Sequence, residues 1–238
     1  MRLLAIETST LLGGAAIMES ESGLLVESRL NVRVVAHSER LMPEIDACLK
    51  RAGLSIGDID CFAAASGPGS FTGLRIGLST LKGLAYATGK PVVTVPTLEA
   101  MAWNLPFCPH PVCPLLDARK KEVYAGAFVW EEDGFRRLMP ESSIKISDIA
   151  LTAGGRASPS LEDFEKVVFL GEGALLYRNE ILGLFGKRAV FAPAHLSVPM
   201  PSSTAHLGLK KALRGEFDDP ASLGPCYIRK SEAEIKFR

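Results

Sequence analysis

Residues Ser66–Gly77 read SGPGSFTGLRIG, four glycines in twelve positions, directly after the apolar run Asp60-Cys61-Phe62-Ala63-Ala64-Ala65. A buried strand that feeds such a loop and then an apolar helix from about Gly73 to Thr88 belongs to an α/β protein. Gly67 and Gly69 free the backbone for positive φ and for close approach to another group. Ser70 and Thr72 are good helix caps, so N–H groups at the helix start can face an anion. The stretch carries neither the Gly-Lys-Ser/Thr of a Walker loop nor GxGxxG. Spacing alone leaves two readings open, a phosphate loop and a close-packing loop.

The helix that follows favours packing. Leu74, Leu78, Leu81 and Ala85 form one stripe, Gly73, Gly77, Thr80 and Leu84 the next, and only Arg75, Ser79, Lys82 and Tyr86 give a polar edge. A helix apolar over most of its circumference is buried on more than one side. One side covers its own sheet; the other, lined by glycines, is expected to meet a second protein.

Outward from the loop, Leu3–Ile6, Gly13–Met18 and Leu24–Leu30 read as three antiparallel strands, the last two joined by a turn at Glu19–Gly23. A helix follows over Ser38–Ala52, with Leu41, Ile45, Cys48 and Leu49 at helical spacing, Pro43 in its first turns and Gly53 as its stop. After the glycine-loop helix come a strand at Pro91–Val95 and a helix opening at Thr97. The Pro-rich segment Pro106–Pro111 marks a junction. Strands are then expected at Val112–Leu116, Glu122–Trp130 and, more weakly, Phe135–Leu138, with a helix near Ser147–Leu151. A linker at Thr152–Ser160, a strand at Val167–Leu170 and a last helix over Ser202–Gly215 complete the reading. Two halves that each open with antiparallel strands and continue α/β predict a duplicated unit: subdomains 1–105 and 106–238, the last helix packing back on the first.

Composition excludes several classes. Of 238 residues, 47% are hydrophobic and 23% charged, with 27 basic and 27 acidic side chains. Such neutrality argues against a free-standing nucleic-acid binder, whose affinity comes from phosphate contacts. No apolar run reaches the roughly 20 residues of a membrane span, and MRLLAIETST does not read as a secretory signal. Five scattered cysteines without a CxxC pair fit reduced thiols in the cytoplasm.

MRLLAIETST, SGPGSFTGLRIG, KPVVTVPTLEAMA, LLDARKKEVYAGAF and PCYIRKSEAE together make the chain resemble the bacterial TsaB (YeaZ) family. The resemblance covers nearly the whole chain and implies an actin-like, sugar-kinase-like ATPase (ASKHA) fold of two βββαβα-type subdomains. It implies a role in making threonylcarbamoyladenosine in tRNA, as the non-catalytic partner of the paralogue TsaD. TsaC supplies the threonylcarbamoyl adenylate and TsaE is the ATPase partner. The catalytic relative carries a His-x-x-x-His metal pair where this chain has Thr97 and Met101. A hydroxyl and a thioether do not replace two imidazoles. It also has a Ser-Gly-Gly-His-Thr loop where Asp117-Ala118-Arg119-Lys120-Lys121 stands here.

By resemblance, pairing runs through the two helices of the first half, which points to Leu41, Ile45, Leu74, Gly77, Leu78, Leu81, Leu84 and Ala85 as contacts. On that reading Leu78→Arg breaks pairing and leaves the monomer folded. Self-pairing through the same face is open to the chain alone. Glu7, Gly67, Gly69, Ser70 and Thr72 become a vestigial nucleotide loop, with no cofactor of the chain's own and ATP only at the level of the complex. Asp117, Arg119 and Glu122, with Tyr124, form a polar cluster at a strand start, read either as an ion-pair network or as a contact to the partner or to tRNA.

Three signals remain. Cys108, His110 and Cys113 lack a fourth ligand at zinc spacing and read as a proline-rich junction. His195 and His206 are isolated. The basic ends Tyr227–Lys230 and Lys236–Arg238 are solvated or touch tRNA within a complex. The competing function is an ATP-dependent phosphotransferase or ATPase of the same fold, which needs two phosphate loops. A peptidase needs HxxxH or HExxH, absent among the four histidines.

Overall fold

The structure, a computed structural model, describes residues 1–31, 37–152, 160–226 and 228. In chain order the elements are β1 (Arg2–Glu7), β2 (Leu12–Glu19), β3 (Gly23–Asn31), α1 (His37–Arg51), β4 (Cys61–Ala65), α2 (Phe71–Thr88), β5 (Val92–Val95) and α3 (Thr97–Ala102). They continue with β6 (Val112–Arg119), β7 (Glu122–Glu131), β8 (Gly134–Lys145), α4 (Ile149–Thr152), β9 (Val167–Leu170), α5 (Glu172–Leu176), α6 (Arg178–Phe185), β10 (Ala189–Phe191) and α7 (Pro201–Leu213). Two compact units result, Met1–Ala100 with Pro199–Cys226, and Met101–Val198. The boundary read after residue 105 therefore lies inside the second unit, because the chain leaves the first partway along α3.

The first unit has one five-stranded sheet in the order β3-β2-β1-β4-β5. β1 runs antiparallel to β2 and parallel to β4, which is parallel to β5. Leu3 to Ile6 are all fully buried, the pattern of a strand covered on both faces. Leu4 and Ile6 pack with Leu41, Ile45 and Cys48 of α1 and Leu78 and Leu81 of α2. On the other face α7 comes so close that a Cβ on Gly208 would stand 2.7 Å from that of Ala63 and 3.4 Å from Leu3 Cδ1. The last helix therefore belongs to the first unit.

α1 begins at His37, so Pro43 lies inside the helix and not in its first turns. Proline lacks the N–H that would bond the Glu39 carbonyl. Both residues are exposed, and water solvates that side. The unit's free sheet edge is closed by the segment after α7. Asp218 N–H donates to the Val92 carbonyl (2.9 Å), and Asp218 Oδ2 accepts from Thr94 N (2.6 Å) and Oγ1 (2.9 Å).

The second unit repeats the design, with sheet order β10-β9-β6-β7-β8. β6 pairs antiparallel with β7 and parallel with β9. Its core joins Leu115, Val123, Met139, Ile149, Phe169, Ile181 and Phe185. Two features differ from the sequence expectation. β8 runs from Gly134 to Lys145, well beyond Leu138, and its polar stretch Pro140–Ser143 is tolerated at a sheet margin. α5 and α6 stand where no helix was expected: α5 is one turn long, and in α6 only Ile181 and Phe185 are buried.

Candidate functional site

The site begins where β1 ends. Glu7 is fully buried, and its Oε1 accepts from Ser9 N (2.7 Å) while Oε2 accepts from Thr204 Oγ1 (3.1 Å). Burial pushes its carboxyl above the usual range, and these hydrogen bonds pull it partly back. A carboxylate so enclosed holds the β1 exit to α7. Lying beneath the surface, it is badly placed to meet a nucleotide's metal ion.

Thr8 and Ser9 then fill the concavity of the glycine loop. Ser70 N–H donates to the Ser9 carbonyl (2.6 Å), and Ser70 Oγ caps α2 by accepting from Gly73 N (3.2 Å). A Cβ on Gly69 would overlap the Ser9 backbone, one on Gly73 the Thr8 carbonyl oxygen, and one on Gly77 the Thr8 hydroxyl. Gly69, Gly73 and Gly77, four residues apart, thus form a groove that seats the β1 exit. Donors that an anion would need at Ser70 and Gly73 are already bonded within the protein. Gly67 is buried, Thr72 is exposed, and the Ser66 carbonyl accepts from Cys226 N (2.8 Å). Within the first unit the loop packs on the β1 exit.

The residues expected to touch a partner take a different place from the one the pattern implied. Leu41, Ile45, Leu74, Leu78, Leu81 and Ala85 are buried in the unit's own core, Leu84 is half-buried, and Gly77 packs on Thr8. Gly73 and Gly77, expected on an outer side, face inward onto Thr8. What α2 presents to solvent is Phe71, Arg75, Ser79, Gly83, Tyr86 and Ala87, with Tyr86 67% exposed; α1 adds Met42 at 50%. The Arg75 guanidinium lies 3.9 Å over the Phe71 ring. Ser79, Gly83 and Ala87 make a shallow ridge of small residues beside Tyr86. The signal for this face was in the sequence as the polar edge Arg75, Ser79, Lys82 and Tyr86, which reads as solvent contact until the apolar stripes are seen to be used up.

In the second unit Asp117, Arg119 and Glu122 do come together, at the β6–β7 turn. Asp117 Oδ1 accepts from Arg119 N (2.9 Å), its Oδ2 stands 3.5 Å from the Arg119 guanidinium, and Glu122 accepts from Ser143 Oγ (3.0 Å). Burial and the neighbouring Asp117 raise the carboxyl of Glu172 at the start of α5. Thr97 and Met101 are both fully buried, and among the described residues the Thr97 hydroxyl has no hydrogen-bond partner. Burial pushes the Cys113 thiol up to about 12, so it resists the deprotonation that metal binding requires. Cys108 and His110 are half-buried, and all five cysteines are free. Among the described residues no three His, Cys, Asp or Glu side chains converge as a metal site would need, and no helix is long and apolar enough to cross a membrane. Of the basic ends, Tyr227, Arg229, Lys230 and Lys236–Arg238 lie outside the described residues.

Two units of the same strand order, each a mixed sheet with β1 or β6 at its centre, define a duplicated actin-like, sugar-kinase-like ATPase fold. Residues 32–237 match the family described as TsaD: tRNA N6-adenosine threonylcarbamoyltransferase. The tRNA threonylcarbamoyladenosine biosynthesis protein TsaB of Bacillus subtilis is 29% identical over 237 residues, 100% of this chain and 98% of that one. Its Escherichia coli namesake is 34% identical over 137 residues, 56% of this chain and 58% of that one. YeaZ from Pseudomonas aeruginosa superposes with a TM-score of 0.78 at 25% identity, covering 95% of this chain and 99% of that one. The Acidaminococcus fermentans (R)-2-hydroxyglutaryl-CoA dehydratase component A, at TM-score 0.50 and 11% identity over 90% of this chain and 99% of that one, shares the fold alone. The chain belongs to the TsaB (YeaZ) family of tRNA threonylcarbamoyladenosine biosynthesis and carries a domain of the TsaD type.

Proposed function

We propose that this chain is a non-catalytic subunit that pairs with TsaD and activates threonylcarbamoyl transfer to the adenosine 3′ of the anticodon in tRNAs reading ANN codons. The observation that carries the reading is the packing of the glycine loop, whose Gly69, Gly73 and Gly77 seat Thr8 and Ser9 of the β1 exit. Pairing is assigned to the outer face of α1 and α2, where Phe71, Arg75 and Tyr86 offer the aromatic and arginine anchors that dominate interfaces. Exposed Gly83 supports the same assignment. Glycine inside a helix costs about 1 kcal/mol against alanine, and a Cβ there would meet nothing within the chain. A partner's backbone approaching that ridge supplies the missing reason. The same face serves self-pairing when TsaD is absent.

On this reading the chain has no cofactor of its own, works in the cytoplasm, and depends on TsaC for the threonylcarbamoyl adenylate and on TsaE for ATP turnover. ATP enters only at the level of the assembly. The competing phosphotransferase or ATPase needs both phosphate loops. The glycine loop after β4 is packed on Thr8 and Ser9, and the β6–β7 turn holds Arg119, Lys120 and Lys121 instead of glycines, which speaks against that reading.

The test is a reconstituted modification reaction with unmodified tRNA, TsaC, TsaD and TsaE. Modification should require this chain and TsaD together, and this chain without TsaD should yield none. Full modification in its absence would refute the proposal.

A further inference from the structure

The β6–β7 hairpin is closed by the wrong residues for its geometry. Arg119 pairs with Glu122, leaving Lys120 and Lys121 as a two-residue turn. Their φ angles are 55° and 63°, and Arg119 adds 66°. Positive φ at both central positions defines the turn that selects Asn-Gly, because a Cβ in the left-handed region is crowded. The chain instead puts there its only run of three consecutive basic residues in 238. All three are exposed, Arg119 to 86% of its side chain, while Asp117 beneath it is down to 15%. Asp117 bonds the Arg119 N–H and stands 3.5 Å from its guanidinium, and Glu122 accepts from Ser143 Oγ, so the acidic neighbours brace the base of the turn while the basic side chains stay exposed. Backbone strain is thus held at a turn of three exposed basic residues, although a neutral, unstrained sequence would close it.

We infer that this turn is a contact for the phosphate backbone of RNA, reached through Arg119, Lys120 and Lys121. The inference rests on the proposed place of the chain in a tRNA-modifying assembly. A small phosphate ligand is enclosed by glycine N–H groups. Here long side chains stand out from a convex tip, which suits an extended polyanion met on one side. A contact of this kind also explains how a neutral protein serves on RNA: it orients the strand locally without supplying the bulk of the affinity.

The test is the double substitution Lys120→Asn and Lys121→Gly, which keeps and eases the turn while removing two charges. Binding of a labelled unmodified tRNA transcript is followed by fluorescence anisotropy across a salt series, with the full chain alone and with equimolar TsaD. The variant should unfold at a higher temperature than the parent, bind the transcript more weakly, and show a plot of log affinity against log salt shallower by about 1.4 to 1.8. Lys120→Arg with Lys121→Arg should retain parental affinity and slope. Equal slopes for the Asn-Gly variant and the parent overturn the inference, as does a parent that binds no transcript in either arm. Loss of magnesium ATP binding with an unchanged RNA slope also overturns it, by assigning the turn to a nucleotide. Failure of the two proteins to co-elute would sink the pairing proposal and leave the slope of the chain alone to decide this one.

Discussion

Glycines in α2 provide a matched set in one helix, and their alanine variants should order by what each Cβ meets. At Gly83 it meets nothing within 4 Å, so Gly83→Ala gains the helix propensity difference, about 0.8–1 kcal/mol. At Gly77 it runs into the hydroxyl of Thr8, a buried β-branched side chain with little room to turn. At Gly73 it runs into the Thr8 carbonyl oxygen, a backbone atom fixed beside β1, and the helix itself must shift. Overpacking of that kind costs roughly 1–3 kcal/mol. Gly73 sits in the first turn, where the propensity gain is smaller, so its net loss should be about 1–2 kcal/mol. The spread between Gly83→Ala and Gly73→Ala then comes to about 2–3 kcal/mol, with Gly77→Ala between them. Urea unfolding followed by circular dichroism measures the order. Both tryptophans, Trp103 and Trp130, lie in the second unit, so their fluorescence follows that unit separately. A Gly73→Ala protein as stable as Gly83→Ala would refute the claim that the glycine loop exists to seat Thr8 and Ser9.

The same contacts reverse the mutational test that the sequence pattern recommends. Leu78→Arg should unfold the first unit, since deleting a buried leucine alone costs roughly 2–5 kcal/mol and a buried charge adds more. Gly83→Arg should keep or raise the unfolding midpoint yet abolish co-elution with TsaD, and co-elution at parental strength would move the interface elsewhere. Glu7→Gln should show its advantage in the pH dependence of stability. Because burial raises the Glu7 carboxyl in the folded state above its ordinary 4.5, the parent loses stability as pH climbs through that window. The Gln variant's margin over the parent should therefore grow from pH 4.5 upward and level off once Glu7 is ionised; a margin that shrinks with pH contradicts the assignment. Titration of the isolated chain with magnesium ATP should give no micromolar heat signal, and tight binding would restore the ATPase reading.

Strand and helix signals strong enough to survive without context were legible in the sequence. Leu3–Ile6 and Cys61–Ala65 are apolar on both faces because both faces are covered, and the repetition of strand pairs ahead of α/β segments disclosed the duplication. Absence of histidine at Thr97 and Met101 and of glycine at Arg119–Lys121 was equally a matter of residue identity. Short elements such as α5, and polar margins such as the end of β8, carry no periodicity of their own, so only packing defines them. Periodicity shows that α2 is apolar over most of its circumference. It cannot say which stripe faces the chain's own sheet, because a buried core and a partner interface demand the same residue types. Only the tertiary structure settled that Gly73 and Gly77 face Thr8, that Leu78 lies in the core, and that Gly83 and Tyr86 face outward. The physical reason is distance along the chain. The loop's concavity is filled by residues about sixty positions earlier and tied off by Cys226 at the far end, and nothing local in SGPGSFTGLRIG encodes those neighbours.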